Sequence, residues 1–217
     1  MQRRTECALG VLGAAVGVVA VTAYLRRVEP WSRTWGATTE EIAAPLPIDE
    51  LVVDGAPATT RAITVRAPID DTWAWLVQIG QDRAGFYSYS RLENLIGAGM
   101  HNADSVHAEW QQRARGDTLW LADPARWGTR GRQVVALVDP PRALVMTSPD
   151  DFDRLERGER AHAAWGFFLV PIGDQSTRFI VRSSGGPVGA HVFDGVHFLM
   201  EQRMMRGLRD RAEAATT

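Results

Sequence analysis

The stretch Gly189–Ala214, "GAHVFDGVHFLMEQRMMRGLRDRAEA", decides the fold. Apolar residues recur at Val192, Val196, Met200, Met204, Leu208 and Ala212, an i, i+4 row that runs for about five helical turns. Arg203, Arg206, Arg209 and Arg211 supply the solvated side. A helix of this length with a single apolar row needs a broad apolar partner, and the residues before it provide one.

From Asp117 onward the pattern is mostly that of strands: "TLWL", "RQVVALVD", "ALVMTS", "HAAWGFFLVPI" and "TRFIVRSSG" are rich in Val, Leu, Phe and Trp. Asp139–Arg142 and Gly173-Asp174 are turn signals between them. Short links between neighbouring strands predict an antiparallel meander. Trp165, Phe167 and Leu169 place a heavily apolar face under the final helix.

Further upstream, "TRAITVRAP" alternates, with Ala62 and Thr64 on one face and Ile63 and Val65 on the other, and ends at Pro68 as a strand. "IDDTWAWLVQIG" follows as a helix, with Asp70 and Asp71 at its start, Trp73, Leu76, Val77 and Ile79 at helical spacing, and Gly80 at its end. Trp73 and Trp75, two apart, lie on different faces. A second short helix is predicted over Ser90–Ile96, with Leu92, Leu95 and Ile96 as its buried side and Gly97 as its stop. Strand, two short helices, an antiparallel run and one long helix across it make an α+β, helix-grip order.

The amino terminus carries a separate signal. Cys7–Leu25, "CALGVLGAAVGVVAVTAYL", has no charge and is bracketed by Arg3-Arg4 and Arg26-Arg27. As a helix it would be about 28 Å long, the thickness of a bilayer's hydrocarbon core. It predicts a single-pass cell-membrane anchor, the alternative being a cleaved signal peptide and a secreted protein. The expected division is an anchor over 1–28, a linker lying on the domain over 29–58, and the main domain over 59–217. Within the linker, Thr38 or Thr39 caps a helical turn that starts with Glu40 and Glu41.

Composition narrows the function. A net charge of −2 excludes a global field for nucleic acid, so no nucleic-acid partner is expected. The chain has no Lys, which removes Schiff-base chemistry and a P-loop lysine. Cys7, the only cysteine, excludes an intramolecular disulfide and a Cys-rich metal site. His101 and His107 are six apart, as are His191 and His197, so neither pair shares a helical face for a metal. Neither a metal nor another cofactor is expected.

The run Gly85–Trp110, "GFYSYSRLENLIGAGMHNADSVHAEW", mixes aromatic and polar residues as the rim of a cavity does. "VRAPIDDTWAWLVQIGQDRAGFYSYSRLENL", "HNADSVHAEWQ" and Gly116-Asp117 resemble the START-like, polyketide-cyclase-related (SRPBCC) helix-grip superfamily. The likeness is nearest to a bacterial branch with a "WGAT-x-EE" segment, here Trp35–Glu41, and runs from Trp35 to Ala214. It implies a deep cavity between sheet and final helix that takes a lipid, polyketide or other hydrophobic small molecule, and it implies no single reaction.

Three functions follow. The first is binding without turnover, with Tyr87, Tyr89, His101, Asn102 and Trp110 from the mixed run and Trp165, Phe167, His197 and Met200 from strand and helix as lining residues. The second is a cyclase or lyase using Asp82, Tyr87 and His101 as acid/base groups. The third is a protein-interaction module whose groove holds a partner segment.

Overall fold

Six strands form one antiparallel sheet in the computed structural model, which describes residues 24–215. The chain enters through a π turn, Tyr24–Val28, and three short helices: α1 (Glu29–Arg33), α2 (Thr39–Ala43) and α3 (Pro47–Leu51). Strand β1 (Ala58–Val65) leads to α4 (Ile69–Val77) and α5 (Ser90–Leu95). Then come β2 (Thr118–Trp120), α6 (Pro124–Trp127), β3 (Arg132–Asp139), β4 (Ala143–Thr147), α7 (Pro149–Glu156), β5 (Ala163–Pro171) and β6 (Thr177–Gly185). The last element is α8 (His191–Ala215). The order across the sheet is β1-β6-β5-β4-β3-β2, so the first strand closes against the last. The Cys7–Leu25 span falls almost wholly outside the described residues; among these, no helix is long and apolar enough to cross a membrane.

The sheet is buried on both faces, and strand alternation sorts its side chains. Ile63, Val65, Leu144, Met146, Phe167, Leu169, Phe179 and Val181 join α4 and the second half of α8 in the main core, where Met204, Met205, Leu208 and Ala212 pack. Trp73 and Trp75 are both buried there. Each such fully buried side chain contributes about 1.5–3 kcal/mol.

The opposite face carries Ala62, Ala143, Val145, Ala164, Phe168 and Ile180, which pack with Ile48 and Val52 from the entry segment. Arg182 fastens that cover: its guanidinium, nearly all buried, donates to Asp49 (2.6 Å) and to the carbonyl oxygens of Glu41, Ile42 and Ala44. Arg178 holds the Glu41 carboxylate at 2.6 and 2.9 Å. Glu41 in turn closes a capping box with Thr38 at the start of α2.

Two loops lie against the sheet's outer strands. The amide of Ala62 in β1 donates to the carbonyl of Trp35 (3.1 Å), and a Cβ at Gly36 would overlap the carbonyl oxygen of Ala62. At the other edge, the Gln81 amide donates to the carbonyl of Trp120 in β2 (2.8 Å).

Two expectations need correction. The Leu92, Leu95 and Ile96 side of α5 is exposed, not buried, because Glu93 is the residue that turns inward. The row on α8 is buried only in its second half: Val196 is exposed, and Asp194, Phe198 and Glu201 take the buried positions of the first half. Helices α6 and α7 fall in the gaps between the expected strands, each opened by a side-chain cap, Asp123 to the Ala125 amide and Ser148 to the Asp151 amide.

Candidate functional site

A cavity of about 460 Å³ lies between the sheet, the loop before α5, Glu93 of α5, and the first half of α8. Helical spacing makes one wall: Phe193, His197, Met200, Glu201 and Met204 share the face of α8 turned toward it. The sheet contributes Trp165 and Ser183, and the loop before α5 gives Phe86 and Ser88. Phe86 and Trp165 stack at 6.1 Å across the interior. Exposed Pro187 and Phe193 mark the mouth.

One end of this apolar space is polar. Strand register sets Thr59, Ser183 and Trp165 in one row across β1, β6 and β5, with Arg61 two residues along from Thr59 on the same face. Arg61 Nη1 donates to Glu201 Oε1 at 2.6 Å, and its Nε donates to the carbonyl of Ser32 at 2.7 Å. Trp165 Nε1 donates to Glu201 Oε2 at 2.8 Å, and His197 Nε2 lies 3.6 Å from the same oxygen. Burial holds the His197 imidazole below its ordinary pKa, and the nearby Arg61 charge adds to this although Glu201 opposes it. The ring is therefore neutral at neutral pH. It stacks on Phe193 at 5.1 Å.

Ser183 Oγ and Glu93 Oε2 line the cavity, are buried, and have no hydrogen-bond partner among the described residues. Thr59 Oγ1, opposite Ser183 in the sheet, is likewise buried and unpaired, outside the cavity lining. Buried polar atoms are nearly always paired, so unpaired ones facing a cavity are groups available to a guest. Burial raises the pKa of the Glu93 carboxyl.

Trp165, His197 and Met200 stand in the cavity wall. Phe167 lies behind Trp165, fully buried, with ring centroids 4.7 Å apart. Tyr87 is elsewhere: its hydroxyl donates to the Trp75 carbonyl (2.9 Å) and accepts from Gln78 Nε2 (3.0 Å). It has φ +56°, a conformation rare for a bulky residue, and burial raises its pKa. Asn102 secures that bend, accepting from the Tyr87 amide at 2.7 Å and donating to the Ser88 carbonyl at 3.0 Å.

Tyr89 is exposed beneath the Arg203 guanidinium, and Trp110 stacks on His107 at 4.1 Å. Asp82 and His101 are exposed, so Asp82, Tyr87 and His101 do not converge on the cavity. Arg61, Glu93, Ser183 and Glu201 were not foreseen. The one available signal was an acid four residues after His197 on a helix. Among the described residues no group of three or more His, Cys, Asp or Glu is placed to hold a metal ion.

No family model matches the chain, and no curated protein matches it. Among solved structures it is similar to the self-sacrificing resistance protein CalC from Micromonospora echinospora, at 14% identity and a TM-score of 0.45, over 74% of this chain and 96% of that one. It is also similar to a structural-genomics protein from Nitrosomonas europaea, at 12% identity and a TM-score of 0.45, over 76% of this chain and 99% of that one. A Polyketide_cyc-like protein from Corynebacterium glutamicum is similar at 15% identity and a TM-score of 0.34, over 76% of this chain and 85% of that one. The α+β helix-grip architecture stands on the sheet and helix described above.

Proposed function

We propose that the protein is a membrane-anchored START-like carrier or receptor that binds a hydrophobic small molecule, lipid or polyketide-like, between sheet and final helix without turning it over. One observation carries the reading: an apolar cavity of about 460 Å³ holds buried, unpaired Ser183 Oγ and Glu93 Oε2. This volume falls within the range of small-molecule sites, and a few polar groups on an apolar wall orient a guest. The guest has an apolar body with a hydroxyl, amide or similar group at the Ser183 end.

A second reading, a cyclase or lyase, has His197 and Glu201 in its favour, a neutral imidazole beside a carboxylate on the cavity wall. Against turnover, the Glu201 carboxylate is already engaged by Arg61 and Trp165.

The test is to purify the full chain in detergent, extract it with organic solvent and identify what it carries by mass spectrometry. A stoichiometric hydrophobic compound, recovered unchanged after incubation with the protein, supports binding without turnover. Conversion of that compound, lost in His197→Gln, selects the enzyme. A folded chain that carries and retains nothing overturns both.

A further inference from the structure

We propose that the mouth of the cavity is seated on the surface of the bilayer that holds the Cys7–Leu25 span, so that the guest passes between membrane and cavity without crossing water. The inference rests on the anchoring reading and goes beyond it by assigning a docking surface.

The first observation is a rim of exposed apolar side chains. Glu93 faces into the cavity from α5, while Leu92, Leu95 and Ile96 on the same helix are 57%, 80% and 59% exposed. Phe193, His197 and Met200 face into it from α8, while Val196 and Leu199 beside them are 59% and 56% exposed. The segment that leads into α5 adjoins α8, since Ser88 Oγ donates to the Met200 carbonyl (3.2 Å) and Arg203 sits 5.9 Å over the Tyr89 ring. Scattered apolar residues are ordinary on a surface, but five large exposed ones on the two helices that line the cavity, together with Phe193 at its mouth, make an interaction patch.

The second observation names the occupant. Only three residues, Arg26–Val28, separate Leu25 from Glu29. Even fully extended, that link reaches about 14 Å from Leu25 to Glu29, and here most of it is wound in a π turn. Glu29 accepts from or pairs with His191 Nδ1 at 2.6 Å, and Arg33 pairs with Asp194 at 2.7 Å, so α1 is fixed to the first turn of α8. Trp31, 53% exposed, packs its ring on Phe198 at 5.4 Å, and exposed Trp is enriched at bilayer interfaces. A membrane-embedded span therefore holds the start of α8, and the apolar rim with it, at the headgroup layer. Arg26, Arg27, Arg91 and Arg203 are exposed around this end and suit anionic lipid.

The experiment uses the full chain with Cys7→Ser and one added cysteine: Leu95→Cys, Leu199→Cys, or Ile172→Cys as control. Ile172 is exposed in the β5–β6 turn, at the end of the hairpin away from the cavity-lining residues Ala163 and Gly185. Each is labelled with an environment-sensitive fluorophore and reconstituted into phosphatidylcholine–phosphatidylglycerol vesicles, part of whose phosphatidylcholine carries brominated chains. Bromine quenching about threefold or more greater at 95 and 199 than at 172 is expected, because interfacial apolar side chains sink to the acyl boundary. A carbonate-resistant chain whose labels at 95 and 199 are no more quenched than at 172 overturns the seating and leaves the anchor standing. Release of the chain by carbonate overturns the anchor and the seating together. Equal strong quenching at all three sites also overturns it, since no particular face is then seated.

Discussion

Arg61 on β1 and Glu201 on α8, separated by 140 residues in sequence, meet at 2.6 Å with no more than 1% of either side chain exposed. The pair joins the final helix to the strand that begins the sheet, at the polar end of the cavity. Glu201→Ala leaves a buried guanidinium without its counter-charge and is expected to cost about 3–5 kcal/mol. Arg61→Met combined with Glu201→Leu should recover part of that loss, because no charge is left to desolvate while the Trp165 N–H and the Ser32 carbonyl lose their partners. Urea melts of Glu201→Ala and of the double variant check both statements.

Gly207 lies in the interior of α8, where alanine ordinarily adds up to about 1 kcal/mol of stability. Here a Cβ would overlap the Tyr87 carbonyl oxygen and crowd its Cβ. Gly207→Ala is therefore expected to destabilise by about 1–3 kcal/mol, the cost of overpacking, in a thermal melt.

Ser183→Ala should move stability and binding in opposite directions. The hydroxyl has no partner in the empty cavity, so its removal leaves the apo protein equally or more stable, by up to about 1 kcal/mol. Affinity for the extracted guest should fall roughly tenfold if that hydroxyl bonds its polar group. Paired melts and binding isotherms measure the two.

Acid should weaken the fold through His197. Its folded pKa lies below 6.5, so as pH falls through 6.5 the unfolded chain takes the proton first and stability drops. Glu93 acts with the opposite sign: its folded pKa lies above 4.5, so its contribution to stability is lost as pH rises above 4.5. Relative to the parent, His197→Gln should flatten the slope below 6.5, and Glu93→Gln should flatten the one above 4.5. Denaturant midpoints taken across the range separate them.

Elements whose periodicity matches their burial were legible in the sequence. β1, β3 to β6, α4 and the second half of α8 follow from alternation, strand-forming composition or helical spacing, because there the core does the selecting. The buried side of α5 was misread for an instructive reason: Leu92, Leu95 and Ile96 have the spacing of a core stripe, yet no element among the described residues covers them. A pattern reports which residues share a face and not what that face meets. The cavity was half legible. Trp165, His197 and Met200 sit on elements with clear periods, whereas Arg61, Ser183 and Glu201 come together only through strand register and the crossing of α8. The Gly85–Trp110 run is rich in polar and aromatic groups largely because a sharp bend at Tyr87 has to be held by Gln78 and Asn102.

The loops along β1 and β2 have a consequence for how copies of the chain meet. An open strand edge is a template for pairing with another molecule. Trp35 already occupies the Ala62 amide on one side, with Gly36 close against the strand, and on the other side β2 is three residues long with the Trp120 carbonyl taken by Gln81. Both edges therefore disfavour the extension of one sheet into the next between crowded copies.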